Sequence, residues 1–372
     1  MIDTVILTVP REKLFDIAGS PPWELKERRG GYEKWIKNPS KENEATGLKF
    51  PMLTGIKRKT GQGLVSTVKI EFSVAKLLFL NNLDELEEKD FPKVIATLRE
   101  RMEQMGVIVS RQVLEKAVVS AIHYSRNIAL SKGYTAQYAI LELGKINLNK
   151  RFDLTKARYV NDGQSITIFS VAHSFILYDK IADLAKSSKR AIDRDQTSYQ
   201  QNLFSELNKL QEVLRLEVRL SKKQKLNSLF VKLGFPKDPT FRDAFSLKIS
   251  QAVLKEYWDT MIKNNATALF AYSMTPNDLL VQLFLARKTL KPKQAFSLLG
   301  FMLAAKEGNG MRETRSIISK YSDDRTWYRF VAEYKSISQE LAKLRPRDWL
   351  DQIEAQLREY KPFRINKGNI AL

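Results

Sequence analysis

The sequence predicts an α+β protein, in which an N-terminal domain with a mostly antiparallel central sheet flanked by helices precedes an all-α C-terminal region. Two observations predict this class. Strand and helix patterns mix through the first 235 residues, roughly in the order β-β-α-β-α-β-α-β. After "LGFP" (233–236) nearly every pattern is helical, with short Pro, Gly and Asn punctuation between helices. We therefore expect two domains, residues 1–236 and residues 237–372.

Alternation of apolar and polar residues predicts the strands. The alternating segments are "MIDTVILTVP" (1–10), "LVSTVKIEFS" (64–73), "VVSAIHYSRNIAL" (118–130), "QSITIFSVAHSFILYD" (164–179) and "LRLEVRL" (214–220). Residues 20–50 are instead rich in Pro, Gly, Lys and Glu, and we expect a long loop there.

Helical periodicity connects these strands. The helical segments before the boundary are "EEKDFPKVIATLRERMEQMG" (87–106), "AQYAILELGKINL" (136–148), "KIADLAKSSKRAIDRD" (180–195) and "TSYQQNLFSELNKLQEV" (197–213). The apolar segment "VAKLLFLNN" (74–82) is read as either a short helix or a loop. Beyond residue 240, patterns such as "FSLKISQAVLKEYWDTMIKN" and "TWYRFVAEYKSISQELAKL" predict a series of helices.

The net charge of the chain indicates which classes of binding partner are favoured. The chain of 372 residues carries a net charge of +20, which draws a protein to polyanions, most commonly nucleic acid. An anionic membrane is the competing partner, but positive residues are spread along the chain rather than clustered, and no apolar run is long enough to span a bilayer. We therefore expect a cytoplasmic protein that binds nucleic acid and no membrane.

Composition also excludes several chemistries. The chain has no cysteine, which excludes disulfides, thiolate zinc sites and cysteine nucleophiles. It has only two histidines, so a site built on several histidines is excluded. No dinucleotide-binding glycine motif, phosphate-binding P-loop motif or HExxH zinc motif occurs.

Several blocks, in the same order, resemble the gene II replication initiators of filamentous phages and the related phage and plasmid rolling-circle initiators. The blocks are "MIDTVILTVP" (1–10), "SVAKLLFLNN" (73–82), "VSAIHYSRNI" (119–128), "FILYDK" (175–180), "LRLEVRL" (214–220) with "LFVKLGFP" (229–236), and "TWYRFVAEY" (326–334). No single block is specific, but together they span nearly the whole chain.

The resemblance implies an activity on DNA. Such initiators nick one strand of a circular duplex at an origin, through a tyrosine that keeps the 5′ phosphate. Host replication enzymes in the bacterial cytoplasm then extend the freed 3′ hydroxyl, and the initiator rejoins the displaced strand. A phosphodiester reaction of this kind needs a nucleophile, positive charge near the phosphate and a divalent cation, either Mg²⁺ or Mn²⁺.

Tyr178 is the candidate nucleophile. Physical reasoning alone leaves it as either a core aromatic at a strand end or a nucleophile, and the resemblance favours the nucleophile. Lys180 either contacts the scissile phosphate or is a solvated lysine in the first turn of a helix. Asp179 is expected to cap that helix. Tyr124 is the rival nucleophile, although it lies on the strand face opposite to His123.

The expected metal ligands are His123, Glu217 and, on a less well aligned strand, Glu71. The alternative for His123 is a hydrogen-bonded interior histidine, and for Glu217 a salt-bridged and solvated strand face. His173 is not placed in the site, because on a straight strand it points away from Tyr178 and only a bulge would turn it toward that face. The chain lacks the His-hydrophobic-His motif of many tyrosine nickases, so it either uses a carboxylate-rich metal site or is a degenerate copy.

Three functions stay open at this point. They are a strand-specific nickase and ligase, a non-catalytic sequence-specific DNA-binding protein of the same lineage, and a mobile-element relaxase or transposase. The C-terminal region carries Lys and Arg around short helices, as in "KPKQAFSLLGFMLAAKEGNGMRETRSIISKY" (291–321). That region is either a second DNA-binding domain or a plain helical bundle.

Overall fold

A computed structural model describes residues 1–144 (except 62 and 132), 157–160, 164–186, 191–192, 212–263, 275–342 (except 308 and 309) and 348–364. The strands in these residues are β1 Ile2–Pro10, β2 Leu14–Asp16, β3 Glu24–Arg29, β4 Tyr32–Lys37, β5 Met52–Thr60, β6 Gly63–Ser73, β7 Val107–Val109, β8 Val118–Leu130, β9 Ala157–Val160, β10 Ser165–Phe169, β11 His173–Asp179 and β12 Glu212–Leu220.

The helices fall into two groups. Those up to residue 261 are α1 Lys41–Ala45, α2 Val74–Phe79, α3 Phe91–Gln104, α4 Arg111–Glu115, α5 Ala136–Gly144, α6 Lys180–Leu184, α7 Lys223–Lys232, α8 Phe241–Ala244 and α9 Leu247–Met261. Further along the chain lie α10 Pro276–Ala286, α11 Pro292–Lys306, α12 Met311–Tyr321, α13 Asp324–Ala342 and α14 Asp348–Glu359. None of the described helices is both long and apolar enough to cross a membrane.

Ten strands form one antiparallel sheet in the order β3-β4-β5-β6-β1-β8-β12-β11-β10-β9, and β2 pairs with β7. The predicted α+β class with a mostly antiparallel sheet is confirmed. The central strands alternate sharply. Val5 and Leu7 of β1 and Leu214 and Leu216 of β12 are fully buried on one face of the sheet, together with side chains from α3, α5, α7, α8, α9 and α14. The opposite face of the central strands carries mostly polar side chains.

The long loop expected over residues 20–50 is wrong. This segment contains β3, β4 and the short helix α1. The sequence does not reveal these strands, because β3 is exposed or only partly covered along its whole length. Without a buried face, apolar and polar residues need not alternate along the strand. The predicted helix over 197–213 lies almost wholly outside the described residues, and its end belongs to β12.

The buried side chains do not divide at residue 236. Those of α8, α9 and α14 belong to the core of the sheet. A second core is formed by α10 to α13, around the buried Trp327 and Tyr334. The change in pattern at residue 236 marks the end of the last strand along the chain. The helices that pack on the sheet can nevertheless come from any part of the chain.

We expect Phe241→Ala to lower the free energy of unfolding by about 3–5 kcal/mol. Phe241 is fully buried, and its ring centroid lies 5.9 Å from that of Phe72 on β6 and 5.3 Å from that of Phe91 on α3. Urea denaturation measures the loss. Phe15→Ala, at a side chain that is 65% exposed, is the control and should change stability by less than about 0.5 kcal/mol. Equal effects of the two substitutions would contradict the packing of α8 on the sheet.

Candidate metal and nucleophile site

The polar face of the central strands gathers charged side chains from neighbours in the sheet. In the antiparallel register of β8 and β12, Glu217 lies opposite Ser125 and Arg219 lies opposite His123. Residues directly opposite in an antiparallel pair project from the same face. This register places His123 beside Glu217, although the two residues are 94 positions apart in the sequence.

Asp3 joins them from β1, on the other side of β8. Ile2 pairs with Tyr124 and Thr4 pairs with His123, so Asp3 is an extra residue at a shift in the register. Such a β-bulge re-aims a side chain relative to the regular alternation. The Asp3 carboxylate reaches the polar face of β12, where it accepts a hydrogen bond from Arg215 at 2.5 Å.

Asp3, His123 and Glu217 form a cluster that suits a divalent cation. One ligand atom from each residue lies within 4.8 Å of the others. Ligands at about 2.1 Å from an octahedral cation are about 3 to 4 Å apart, so small side-chain rotations would close the cluster. Two carboxylate oxygens and one imidazole nitrogen fit Mn²⁺ well and Mg²⁺ acceptably. Three protein ligands would also leave positions for water or a phosphate oxygen.

Arginines already neutralise both carboxylates. Arg215 is 1% exposed and donates to Asp3, to the Ser125 hydroxyl at 2.9 Å and to the Asn127 side-chain oxygen at 3.0 Å. A further hydrogen bond, of 2.6 Å, runs from Arg215 to the backbone oxygen of Asn82. A buried guanidinium is tolerated only when acceptors surround it, and these four hydrogen bonds join β12 to β1, to β8 and to the segment around Asn82.

Glu217 is 2% exposed and pairs with Arg219, whose Nε lies 2.7 Å from Glu217 Oε1. The Glu217 carboxylate raises the pKa of Arg219 above its ordinary value. His123 Nδ1 lies 3.9 Å from Glu217 Oε1. Burial lowers the pKa of His123 below its ordinary value, and nearby Glu217 opposes that shift only partly. The imidazole is therefore neutral at pH 7, the state in which it binds metal.

Tyr178 lies next to this cluster on the adjacent strand β11, and Lys180 follows two positions later as the first residue of α6. Tyr178 on β11 stands directly opposite Arg215 on β12, so it projects from the polar face. Tyr178 is 2% exposed and Lys180 is fully buried, with Lys180 Nζ 5.7 Å from the centroid of the Tyr178 ring. The solvated reading of Lys180 is therefore wrong. Asp179 caps α6 as expected, because its side chain accepts a hydrogen bond from the Ala182 amide.

Glu71 is not in the cluster, which corrects the expected ligand set. It pairs with Ile6 on β1, which in turn pairs with Ala121 on β8, so Glu71 stands on the same face but two strands from β8. Two strand spacings place it roughly 10 Å from that strand. Burial raises the pKa of Glu71 above its ordinary value, and Lys69 partly opposes this.

The rival nucleophile Tyr124 and His173 both lie on the apolar face. Tyr124 is fully buried, and its hydroxyl donates to the backbone oxygen of Ala244 at 2.9 Å. His173 Nδ1 lies 2.6 Å from the Tyr257 hydroxyl of α9. The prediction that His173 points away from Tyr178 is confirmed, because the strand alternation continues without a bulge between them.

Asp3 and Arg215 are members of the site that were not among the residues predicted from the sequence. Asp3 belongs to the block "MIDTVILTVP", where it breaks the apolar alternation of a central strand, and that break is the available signal. Arg215 was seen only as a residue flanking Glu217. Comparison of the chain with protein-family models, with curated proteins and with solved structures gave no match.

We expect Asp3→Asn and Glu217→Gln each to weaken Mn²⁺ binding by roughly tenfold or more, because each removes a charged ligand. Titration calorimetry, or the paramagnetic resonance signal of free Mn²⁺, measures the affinity. Glu71→Gln is the matched control, because it removes one carboxylate from the same face outside the cluster. An equal loss of affinity in the control would contradict the assignment of the three ligands.

We expect His173 to contribute to a loss of stability on acidification. Burial lowers its pKa from 6.5 to about 4, with Lys225 acting in the same direction. Between pH 6.5 and 4 the unfolded chain takes up a proton on this residue that the folded chain does not, so the free energy of unfolding falls as the pH falls. In His173→Gln, urea denaturation should show a shallower fall across this window. Parallel curves for the two proteins would contradict the expectation.

Proposed function

We propose that this chain is a rolling-circle replication initiator, which nicks and rejoins one DNA strand through a 5′-phosphotyrosine formed by Tyr178. The observation that carries the proposal is the shared position of its parts. A tyrosine hydroxyl, two arginines and a three-ligand cluster suited to Mg²⁺ or Mn²⁺ project from one face of adjacent strands. The order of the resembling sequence blocks supports the same assignment.

The proposed nicking step is a transesterification. The Tyr178 oxygen bonds to phosphorus, the bond from phosphorus to the 3′ oxygen breaks, and that oxygen takes a proton to become the 3′ hydroxyl. The phenol proton passes to solvent, since a phenol with a pKa near 10 must lose its proton during attack. Rejoining is the reverse reaction, with a 3′ hydroxyl attacking the phosphotyrosine. No oxidation or reduction is involved.

The charges of the site suit a phosphodiester once a cation is present. With His123 neutral, the carboxylates of Asp3 and Glu217 balance Arg215 and Arg219, so a bound divalent cation adds two positive charges to these four side chains. A cation held there supplies Lewis-acid stabilisation of the charge on the phosphate. Arg219 is 32% exposed in its side chain and can reach a phosphate, whereas Arg215 is enclosed and serves to position Asp3.

The proposed partners are DNA and host replication enzymes in the bacterial cytoplasm. The net charge of +20 supports DNA binding through phosphate contacts. A role of the C-terminal helices in DNA binding is part of the same proposal. The nicking proposal also requires that the cover over the buried Tyr178 move, since DNA must reach the hydroxyl.

A second candidate function is a DNA-binding protein without catalysis. Two observations favour it. Tyr178 is 2% exposed, and both carboxylates are already neutralised by arginines without any cation. This candidate predicts binding of DNA that is independent of divalent metal and is never followed by cleavage.

We expect the wild-type protein to form a covalent adduct with DNA, and Tyr178→Phe to form none. The substrate is a supercoiled plasmid carrying the DNA that flanks the coding sequence, incubated with Mg²⁺ or Mn²⁺. Nicking is followed by agarose electrophoresis, and the adduct by denaturing gels with end-labelled DNA. The expected loss in Tyr178→Phe is complete, because the substitution removes the attacking oxygen.

Tyr124→Phe is the matched control, since it removes one buried tyrosine hydroxyl from the opposite face of the sheet. It should keep the adduct. An adduct that survives in Tyr178→Phe would refute the assignment of the nucleophile. Metal-independent DNA binding without cleavage in the wild type would favour the second candidate function.

A further inference from the structure

Four strands of the sheet continue beyond the end of β1. The last pairing of β1 joins Pro10 to Thr67 on β6. From there β6 runs back to Gly63, paired with β5 as far as Thr60, and β3 and β4 extend alongside. We call residues 26–34, 56–61 and 63–66 the β-arm. At about 3.3 Å per residue, its β5–β6 hairpin extends roughly 13 Å beyond the last pairing of β1.

The β-arm has no apolar core of its own. The fully buried positions of these strands end near Leu53 and Val68, which are both 0% exposed. Beyond them Lys57, Arg58 and Lys59 are exposed, and Leu64 is 62% exposed. Both broad faces of the hairpin are therefore open to a partner.

Positive charge projects from both of these faces. Lys57, Arg58 and Lys59 are consecutive on a strand, so Arg58 projects from one face and its two neighbours from the other. Arg58 is on the face that carries the metal cluster, since alternation along β5 and β6 relates it to Glu71.

Lys57, Arg58 and Lys59 differ from the neighbouring arginines of β3 in that they form no ion pair with a carboxylate of the described residues. Arg28 pairs with Glu33 at 3.0 Å and Arg29 pairs with Glu27 at 2.8 Å. Within the part of the chain that the structure describes, Lys57, Arg58 and Lys59 take part in no ion pair. Their charge is therefore available to an external anion.

We propose that the β5–β6 hairpin of the β-arm is a docking element for duplex DNA, seated in a groove. Strands β3 and β4 lie beside the hairpin, so the arm would enter the groove with its tip first. A sheet is about 10 Å thick with its side chains, and the major groove of B-DNA is about 12 Å wide. A sheet that enters a groove with its tip has a phosphate strand opposite each of its two faces, so cations on both faces match that partner. An anionic membrane is flat, and it would be met by one charged face.

The position of the hairpin relates this contact to the candidate site. Gly63 at the tip and Ser73 at the other end of β6 are separated by ten residue steps, or at most about 33 Å. Ser73 pairs with Thr4, the neighbour of Asp3. The hairpin would thus hold duplex about 10 base pairs from the candidate site, at 3.4 Å per base pair. This deepens the proposed function by naming duplex DNA as a partner, but it does not depend on the nicking chemistry.

The test compares two triple variants of the full chain. The first carries Lys57→Ala, Arg58→Ala and Lys59→Ala. The second, with the same loss of charge, carries Lys93→Ala, Lys116→Ala and Lys248→Ala, at exposed lysines on or beside α3, α4 and α9. Binding of a labelled duplex of about 30 base pairs, longer than the span to the site, is measured by fluorescence anisotropy over a range of salt concentrations. EDTA in the buffer prevents any cleavage, and thermal melting verifies that both variants are folded.

We expect the β-arm variant to bind the duplex roughly tenfold or more weakly than wild type at low salt. Its plot of log affinity against log salt should also be shallower by up to about 2.7, since each lost phosphate contact removes about 0.9. The control variant should keep the wild-type slope. Equal losses in both variants would overturn the proposal, because they would show that binding follows net charge alone.

Two other results would also overturn it. One is wild-type protein that does not bind the duplex. The other is a β-arm variant that keeps duplex binding but loses binding to phosphatidylserine vesicles in co-sedimentation, which would assign the arm to a membrane. Since no step of this test needs cleavage, failure of the Tyr178 experiment leaves its outcome unaffected. Conversely, loss of the arm contact would leave adduct formation on single-stranded DNA intact.

Discussion

The guanidinium of Arg215 lies inside the protein and donates hydrogen bonds to Asp3 on β1, to Ser125 on β8 and to the backbone oxygen of Asn82. Leaving any of these groups unpaired inside the protein would cost about 1–3 kcal/mol or more. The positions of β1, β8 and β12 relative to one another are therefore constrained by a charged side chain as well as by backbone pairing. The candidate metal cluster exists because this constraint holds Asp3 beside Glu217 and His123.

The two faces of the sheet carry different kinds of residue, one for packing and the other for the candidate site. Its apolar face packs against the helices, including α8, α9 and α14 from the later part of the chain. Its polar face carries the candidate ligands and Tyr178. Tyr124 and His173 show how strict this separation is, since each is one strand position from a residue of the other face and each hydrogen-bonds into the helical layer. Substitutions on the apolar face should therefore change the stability of the fold, and substitutions on the polar face should change metal binding.

One surface of the sheet links the candidate site to the β-arm. Strand β6 pairs with β1 beside Asp3 at one end and forms the arm at the other. Because the arm lacks a buried face, packing does not require apolar residues there. Charged residues such as Lys57, Arg58 and Lys59 can therefore occupy it and remain exposed. A long strand shared by a rigid site and an exposed ribbon fixes the distance between them, which flexible loops would not do.

The sequence by itself determined the α+β class, the five strand-forming segments and the face on which Tyr178, His123 and Glu217 lie, because alternation along a strand is a local property. It did not show that the segment 164–179 folds into two paired strands, β10 and β11. It failed at β3 and β4, where no buried face imposes alternation, and at Glu71, whose residue type fits a ligand but whose strand is too far away. Only the tertiary structure decided that Asp3 completes the cluster and that Lys180 is buried. Both depend on strand order, register and a bulge, which arise from pairing between distant segments.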